Sequence, residues 1–222
     1  MIRYKVTANY SDGTMYLEGD NIAPGSVPVN IPDSDKLKKQ LLSLYLHVAD
    51  IEEALGYLFC ISADKTYIVN RALFVSALVC MIKCFQSSHA CSALSEKGFK
   101  KQFPDQYEIY TEFKDWRNKH FVHDENGMRE ATAFLIVAPE GSDHVLGGPP
   151  SVLWERVNLD FTKEGRRMEQ VLRAMWKYAE KQFDDTADRI TEHYSDKTRE
   201  ELLTFPKGSL TAASRKSPNL PR

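Results

Sequence analysis

The sequence lacks the marks of several protein classes. It has no cationic surplus: 29 Lys and Arg stand against 31 Asp and Glu, a formal charge of −2. A global electrostatic footprint for nucleic acid is therefore excluded, and any such contact has to be local. The longest apolar run, Ala72 to Ile82, is about half a bilayer span and includes Ser76, which argues against a transmembrane helix. The first residues, Met1-Ile2-Arg3-Tyr4-Lys5, offer no apolar core of a secretory signal, so a cytoplasmic protein with reduced thiols is expected. The four cysteines, Cys60, Cys80, Cys84 and Cys91, form no C-x-x-C pair. Cys80 and Cys84 lie one helical turn apart in strongly apolar sequence, which favours core packing over a metal site. No acidic cluster of the kind a two-metal nuclease needs is evident, and no cofactor or metal is expected.

What is present is helical periodicity. Ser34 is a good N-cap residue, and Leu37, Leu41, Leu44, Val48, Ile51, Leu55 and Leu58 follow at alternating spacings of four and three. This predicts a long helix to about Cys60 in a bundle with shallow crossing angles. A second helix, from about Lys65 to Ser88, is apolar almost all round and should be buried on most faces, centrally or against a second subunit. Ser87 to Gly98 predicts at most one short helix ending at Gly98. A third long helix begins at Pro104, a favourable first-turn residue, and runs to about Val122. The last is capped by Asp160 or Thr162 and buries Met168, Leu172, Met175, Ala179, Phe183, Thr186, Ile190 and Tyr194. Asp196 to Leu203 extends it or forms a short extra helix.

Strand signals frame these helices. Alternation at Ile2, Tyr4, Val6 and Ala8, with a turn at Ser11-Asp12-Gly13-Thr14, predicts an N-terminal β segment over 1–31. A second hairpin is predicted at about 131–159, with the Gly- and Pro-rich loop 141–150 at its tip; the two could share one small sheet. The expected architecture is mainly α: an up-and-down four-helix bundle over 34–203, carrying a small β appendage made of the N-terminal strands and the inserted hairpin. Residues 206–222 read as a flexible basic tail.

One run stands apart chemically: Arg117-Asn118-Lys119-His120-Phe121-Val122-His123-Asp124, at the close of the third long helix. Arginine offers a forked, permanent cation for phosphate oxygens, and histidine exchanges protons near neutral pH. At about 100° per residue, Arg117 and His123 fall about 120° out of phase on a straight helix, whereas His120 lies only about 60° from Arg117. Either the helix ends between them or a second subunit completes the site. His47, His89, His144 and His193 show no such company in the sequence and read as structural.

An arginine, a polar residue and then a histidine after a few intervening positions, closing a helix of a four-helix bundle, resembles the motif of the HEPN superfamily. The resemblance covers about 34–195, and five residues, Asn118 to Val122, separate Arg117 from His123. It implies a metal-independent endoribonuclease of toxin–antitoxin or anti-phage defence type, acting as a homodimer whose paired motifs form a composite cleft. Arg117, Asn118 and His123 would carry catalysis on RNA, with His120, Lys119 and Asp124 as accessory residues. Lys114 and Lys119 would add local positive potential, which the neighbouring Asp115 and Glu112 would offset. An antitoxin or other protein partner would hold the activity in check. The family also contains catalytically inactive members that serve as scaffolds for protein or nucleic acid, which is the alternative implied. The inserted hairpin, the N-terminal strands and the second histidine inside the motif depart from the minimal pattern.

Overall fold

Hydrophobic periodicity becomes helix along most of the chain. The computed structural model describes residues 7–11, 14–18, 22–24, 26–88, 91–118, 129–141, 148–149, 151–156 and 159–207. In chain order the elements are β1 (Thr7–Ser11), β2 (Thr14–Glu18), α1 (Lys36–Phe59), α2 (Tyr67–Lys83), α3 (Glu96–Gln102), α4 (Pro104–Trp116), β3 (Arg129–Phe134), β4 (Ser151–Arg156), α5 (Phe161–Ser195) and α6 (Arg199–Leu203). The chain is mainly helical. Among the described residues no helix is long and apolar enough to cross a membrane. The chain divides into two units, Met1–Leu42 with Lys181–Arg222, and Ser43–Glu180.

In the unit spanning Ser43–Glu180, α2 supplies the centre of the core. Phe74, Ala77, Leu78, Met81 and Ile82 are buried. The Phe74 ring lies 6.0 Å from Phe113 of α4 and 5.5 Å from Phe161 of α5. From α1 the buried residues are Ser43, Leu44, His47, Val48, Ile51 and Ala54. The buried face of α1 is thus wider than a strict two-position seam and takes in a histidine. Met168, Val171, Leu172, Met175, Tyr178 and Ala179 of α5 complete the core. Asp160 caps α5, its carboxylate accepting from the Thr162 and Lys163 amides at 3.0 and 3.1 Å. β3 and β4 pair antiparallel, with Ala131 opposite Trp154.

In the other unit β1 and β2 pair antiparallel, Asn9 opposite Tyr16. The described strands make two two-stranded sheets, β1–β2 and β3–β4. The start of α1 is capped by Asp35 rather than Ser34: the Leu37 amide donates to Asp35 Oδ1 at 2.8 Å. Asp35 wins because its second oxygen accepts from the Tyr194 hydroxyl of α5 at 2.9 Å. The two bonds hold its carboxyl below the usual carboxylate range. Thr198 and Glu201 form a reciprocal capping box at α6. The Asn30 amide donates to Pro206 O at 2.8 Å, so the chain is tied down through Lys207, and the rest of the basic tail lies outside the described residues.

Gly98 does not end a helix, as its sequence position suggests. Ser95 caps α3 by accepting from the Gly98 amide at 3.1 Å, and the helix continues to Gln102. A methyl group at residue 98 would overlap the Tyr178 hydroxyl and lie 3.2 Å from its Cζ. That ring is buried and packed 5.8 Å from Phe99, so it has little room to retreat. Glycine is there for the close approach, not for its backbone freedom. Alanine in a helix interior normally gains about 0.5–1 kcal/mol over glycine, but overpacking costs about 1–3 kcal/mol. Gly98→Ala should therefore lower stability by about 1–2 kcal/mol in urea unfolding. Adding Tyr178→Phe, which removes the obstructing oxygen, should restore part of the loss. A Gly98→Ala protein as stable as the parent would show that the contact is not tight.

Candidate functional site

α4 presents the arginine run. Pro104 opens the helix and Asp105 lies in its first turn, both favourable there. Tyr110 and Phe113 are buried, and Trp116 stacks edge-on against Phe113 at 5.3 Å. Glu96 of α3 anchors this helix. It accepts from the Tyr107 and Tyr110 hydroxyls at 3.3 Å each and from the Lys114 ammonium at 2.7 Å.

Past Trp116 the hydrogen-bond ladder widens into a π turn at Arg117 and Asn118. Such turns are rare and concentrate at functional sites. The Arg117 amide donates to both Phe113 and Lys114 carbonyls, and its Nη1 donates to Asn118 Oδ1 at 3.1 Å. The structure thus brings Arg117 and Asn118 together on the surface. Lys119, His120, His123 and Asp124 lie outside the described residues.

Two charges expected to shape this site are committed elsewhere. Lys114 does not add free positive potential, because Glu96 neutralises it. Glu112 does not offset the arginine run, because it pairs with Arg167, which also bonds Glu164 at 2.8 Å and covers the Phe113 ring at 5.7 Å. Among the described residues no ion pair holds Arg117. A cavity of about 460 Å³ opens between the end of α1 and the first turns of α5, lined by Leu55, Phe59, Phe161, Arg166 and Arg173. Neither Arg117 nor Asn118 lines it.

A second constellation surrounds His47, which sequence reading set aside as structural. The ring is buried, and its Nε2 lies 2.7 Å from Ser92 O. A carbonyl only accepts, so Nε2 carries the proton and Nδ1 keeps its lone pair. Cys91 Sγ sits 3.5 Å from Nε2 and 4.0 Å from Nδ1. His47, Asp50 and Cys84 each place a ligand atom within 4.8 Å of the others. Local structure explains the convergence. His47 and Asp50 are three apart on one face of α1, and Cys84 is the C-cap of α2. The following loop returns over α1: Leu94 N donates to Cys84 O at 2.8 Å, and Ser92 N to Ser43 Oγ at 2.9 Å. One signal was available in the sequence. His47 occupies a buried-face position between Leu44 and Ile51.

Compared with family models, curated proteins and solved structures, the chain matches none.

The burial of His47 has a consequence for stability. Desolvation favours the neutral ring and holds its pKa below 6.5, against the Ser92 carbonyl and Asp50, while Lys83 lowers it further. The unfolded chain binds this proton more readily. The stability His47 confers is therefore full above 6.5 and declines as pH falls through that value towards the folded one. Denaturant midpoints should fall as pH is lowered through this window. His47→Gln should flatten that slope, and an identical slope in the variant would place the titration in other groups.

Proposed function

We propose that the chain is a metal-independent endoribonuclease of the HEPN type, acting as a homodimer. The observation that carries this reading is the pairing of Arg117 with Asn118 in a π turn that closes α4. The arginine is held by a neutral amide and by no ion pair among the described residues. A guanidinium so placed keeps donors available for phosphate oxygens. His123, six residues beyond Arg117 in the sequence, supplies the proton chemistry.

The reaction follows from these residue types. RNA brings its own nucleophile, the 2′-hydroxyl. One histidine takes that proton as the oxygen attacks phosphorus, and the 5′-oxygen leaves with a proton returned to it. The bond to the 5′-oxygen breaks as the bond to the 2′-oxygen forms, leaving a cyclic phosphate and a 5′-hydroxyl. Arg117 stabilises the charge that builds on the phosphorane oxygens. Asn118 orients the guanidinium by accepting from Nη1. Two copies meeting about a two-fold axis place each arginine near the other's histidine, which removes the phase conflict within one chain. Toxin or defence activity, restrained by a protein partner, is the biological setting this reading implies.

A second reading, a non-catalytic docking module of the same type, is favoured by exposed apolar side chains. Phe59 is 91% exposed, Ile68 74%, Tyr45 54% and Val79 49%. One experiment separates the two. Purified protein should cleave single-stranded RNA without added magnesium. Arg117→Ala and His123→Ala should each lower the rate by about 100-fold or more, with the unfolding midpoint unchanged in Arg117→Ala because Arg117 is not among the buried residues of the core. Cleavage undiminished in both variants would remove the nuclease assignment. Absence of cleavage in a folded, dimeric parent would favour the docking module.

A further inference from the structure

We propose that His47, Asp50 and Cys84, with Cys91 as the fourth donor, bind one divalent cation of the zinc class. The ligand atoms of His47, Asp50 and Cys84 already lie within 4.8 Å of one another, whereas Cys91 Sγ stands beside the imidazole, 3.5 Å from Nε2 and 4.0 Å from Nδ1, outside that group. Donors sharing one tetrahedral zinc ion are separated by roughly 3.3–3.8 Å, given metal–sulfur and metal–nitrogen bonds of about 2.3 and 2.0 Å. Small side-chain rotations close that gap for the first three donors, and a change of the Cys91 side-chain rotamer brings in the fourth. The donor set of one imidazole, two thiols and a carboxylate suits zinc and disfavours magnesium or calcium, which take oxygen ligands.

The histidine is prepared for this role. Metal-bound imidazoles usually donate their second ring N–H to a carbonyl or carboxylate, which fixes the tautomer. His47 makes that bond to Ser92 O at 2.7 Å and leaves Nδ1 as the ligand atom. The carboxylate already holds a cation, since the Lys83 ammonium bonds Asp50 Oδ1 at 2.9 Å. The Lys83 side chain is 62% exposed, so it swings into water when a metal takes its place. Cys84 is fully buried, its Sγ 3.9 Å from the His47 carbonyl oxygen. A coordinated metal supplies the positive charge that makes a buried thiolate tenable, and the proton leaves on binding. The ion would fasten α1, the end of α2 and the loop after it. No step of RNA cleavage is assigned to it, because Arg117 and Asn118 close a different helix.

The test is titration of the reduced full-length protein with cobalt(II), followed by competition with zinc. A thiolate-to-cobalt absorption band saturating at one equivalent is expected, with zinc displacing it. Asp50→Asn and Cys91→Ser, both at partly exposed positions, should each weaken binding by at least tenfold, in line with about 10–100-fold for changes even outside the ligand set. Cys84→Ser should abolish the band, whereas Cys60→Ser should leave it unchanged. Circular dichroism of each variant confirms folding. No band from the folded parent overturns the site, as does equal affinity in the folded Asp50→Asn and Cys91→Ser proteins. Isolation of a Cys84–Cys91 disulfide with no cobalt uptake after reduction also overturns it, in favour of a redox pair.

Discussion

The contact on which the Ser43–Glu180 unit depends is the burial of Phe74 against Phe113 and Phe161. α2 is apolar on nearly every side, so it has to be surrounded, and these two rings decide by what. Deleting a buried phenylalanine typically costs about 3–5 kcal/mol. The ion pairs on the same helices, such as Lys83–Asp50 and Arg173–Glu169, are partly exposed and worth about 0–1 kcal/mol each. Aromatic packing therefore sets where α4 lies, and the charges adapt to it. Arg117 inherits its position from this arrangement, since its amide donates back to the Phe113 carbonyl.

Polar order has a different origin. Between Phe85 and Leu94 the described residues of the loop after α2 bury no large apolar side chain, yet the loop returns over α1. The Leu94 amide donating to the Cys84 carbonyl and the Ser92 amide donating to the Ser43 hydroxyl hold it, and His47 closes the gap beneath. A buried neutral histidine with a carbonyl partner satisfies the requirement that interior polar groups be bonded. It also leaves one nitrogen lone pair facing a region supplied with sulfur and carboxylate.

Features set by local patterning were legible in the sequence. The leucine spacing of α1, the apolar run of α2 and the Asp160 cap of α5 each follow from residues within a few positions of one another. What was not legible depends on partners far along the chain. Asp35 displaces Ser34 as a cap through Tyr194, 159 residues away. Lys114 is silenced by Glu96, 18 positions upstream. His47 looked solitary because its neighbours Cys84 and Cys91 are 37 and 44 residues distant. Of the arginine run, the first two residues fall among those described. There the widened turn departs from the regular 100° step on which the phase argument rested.

The Gly98–Tyr178 contact has a mechanical meaning. A hydroxyl seated where a side chain would stand acts as a peg in a socket. A contact of that kind tolerates rocking about itself but resists translation, because any slide drives the oxygen into helix backbone. Sliding of α3 along α5, and with it of the Glu96 network it carries to α4, is thus opposed at residue 98.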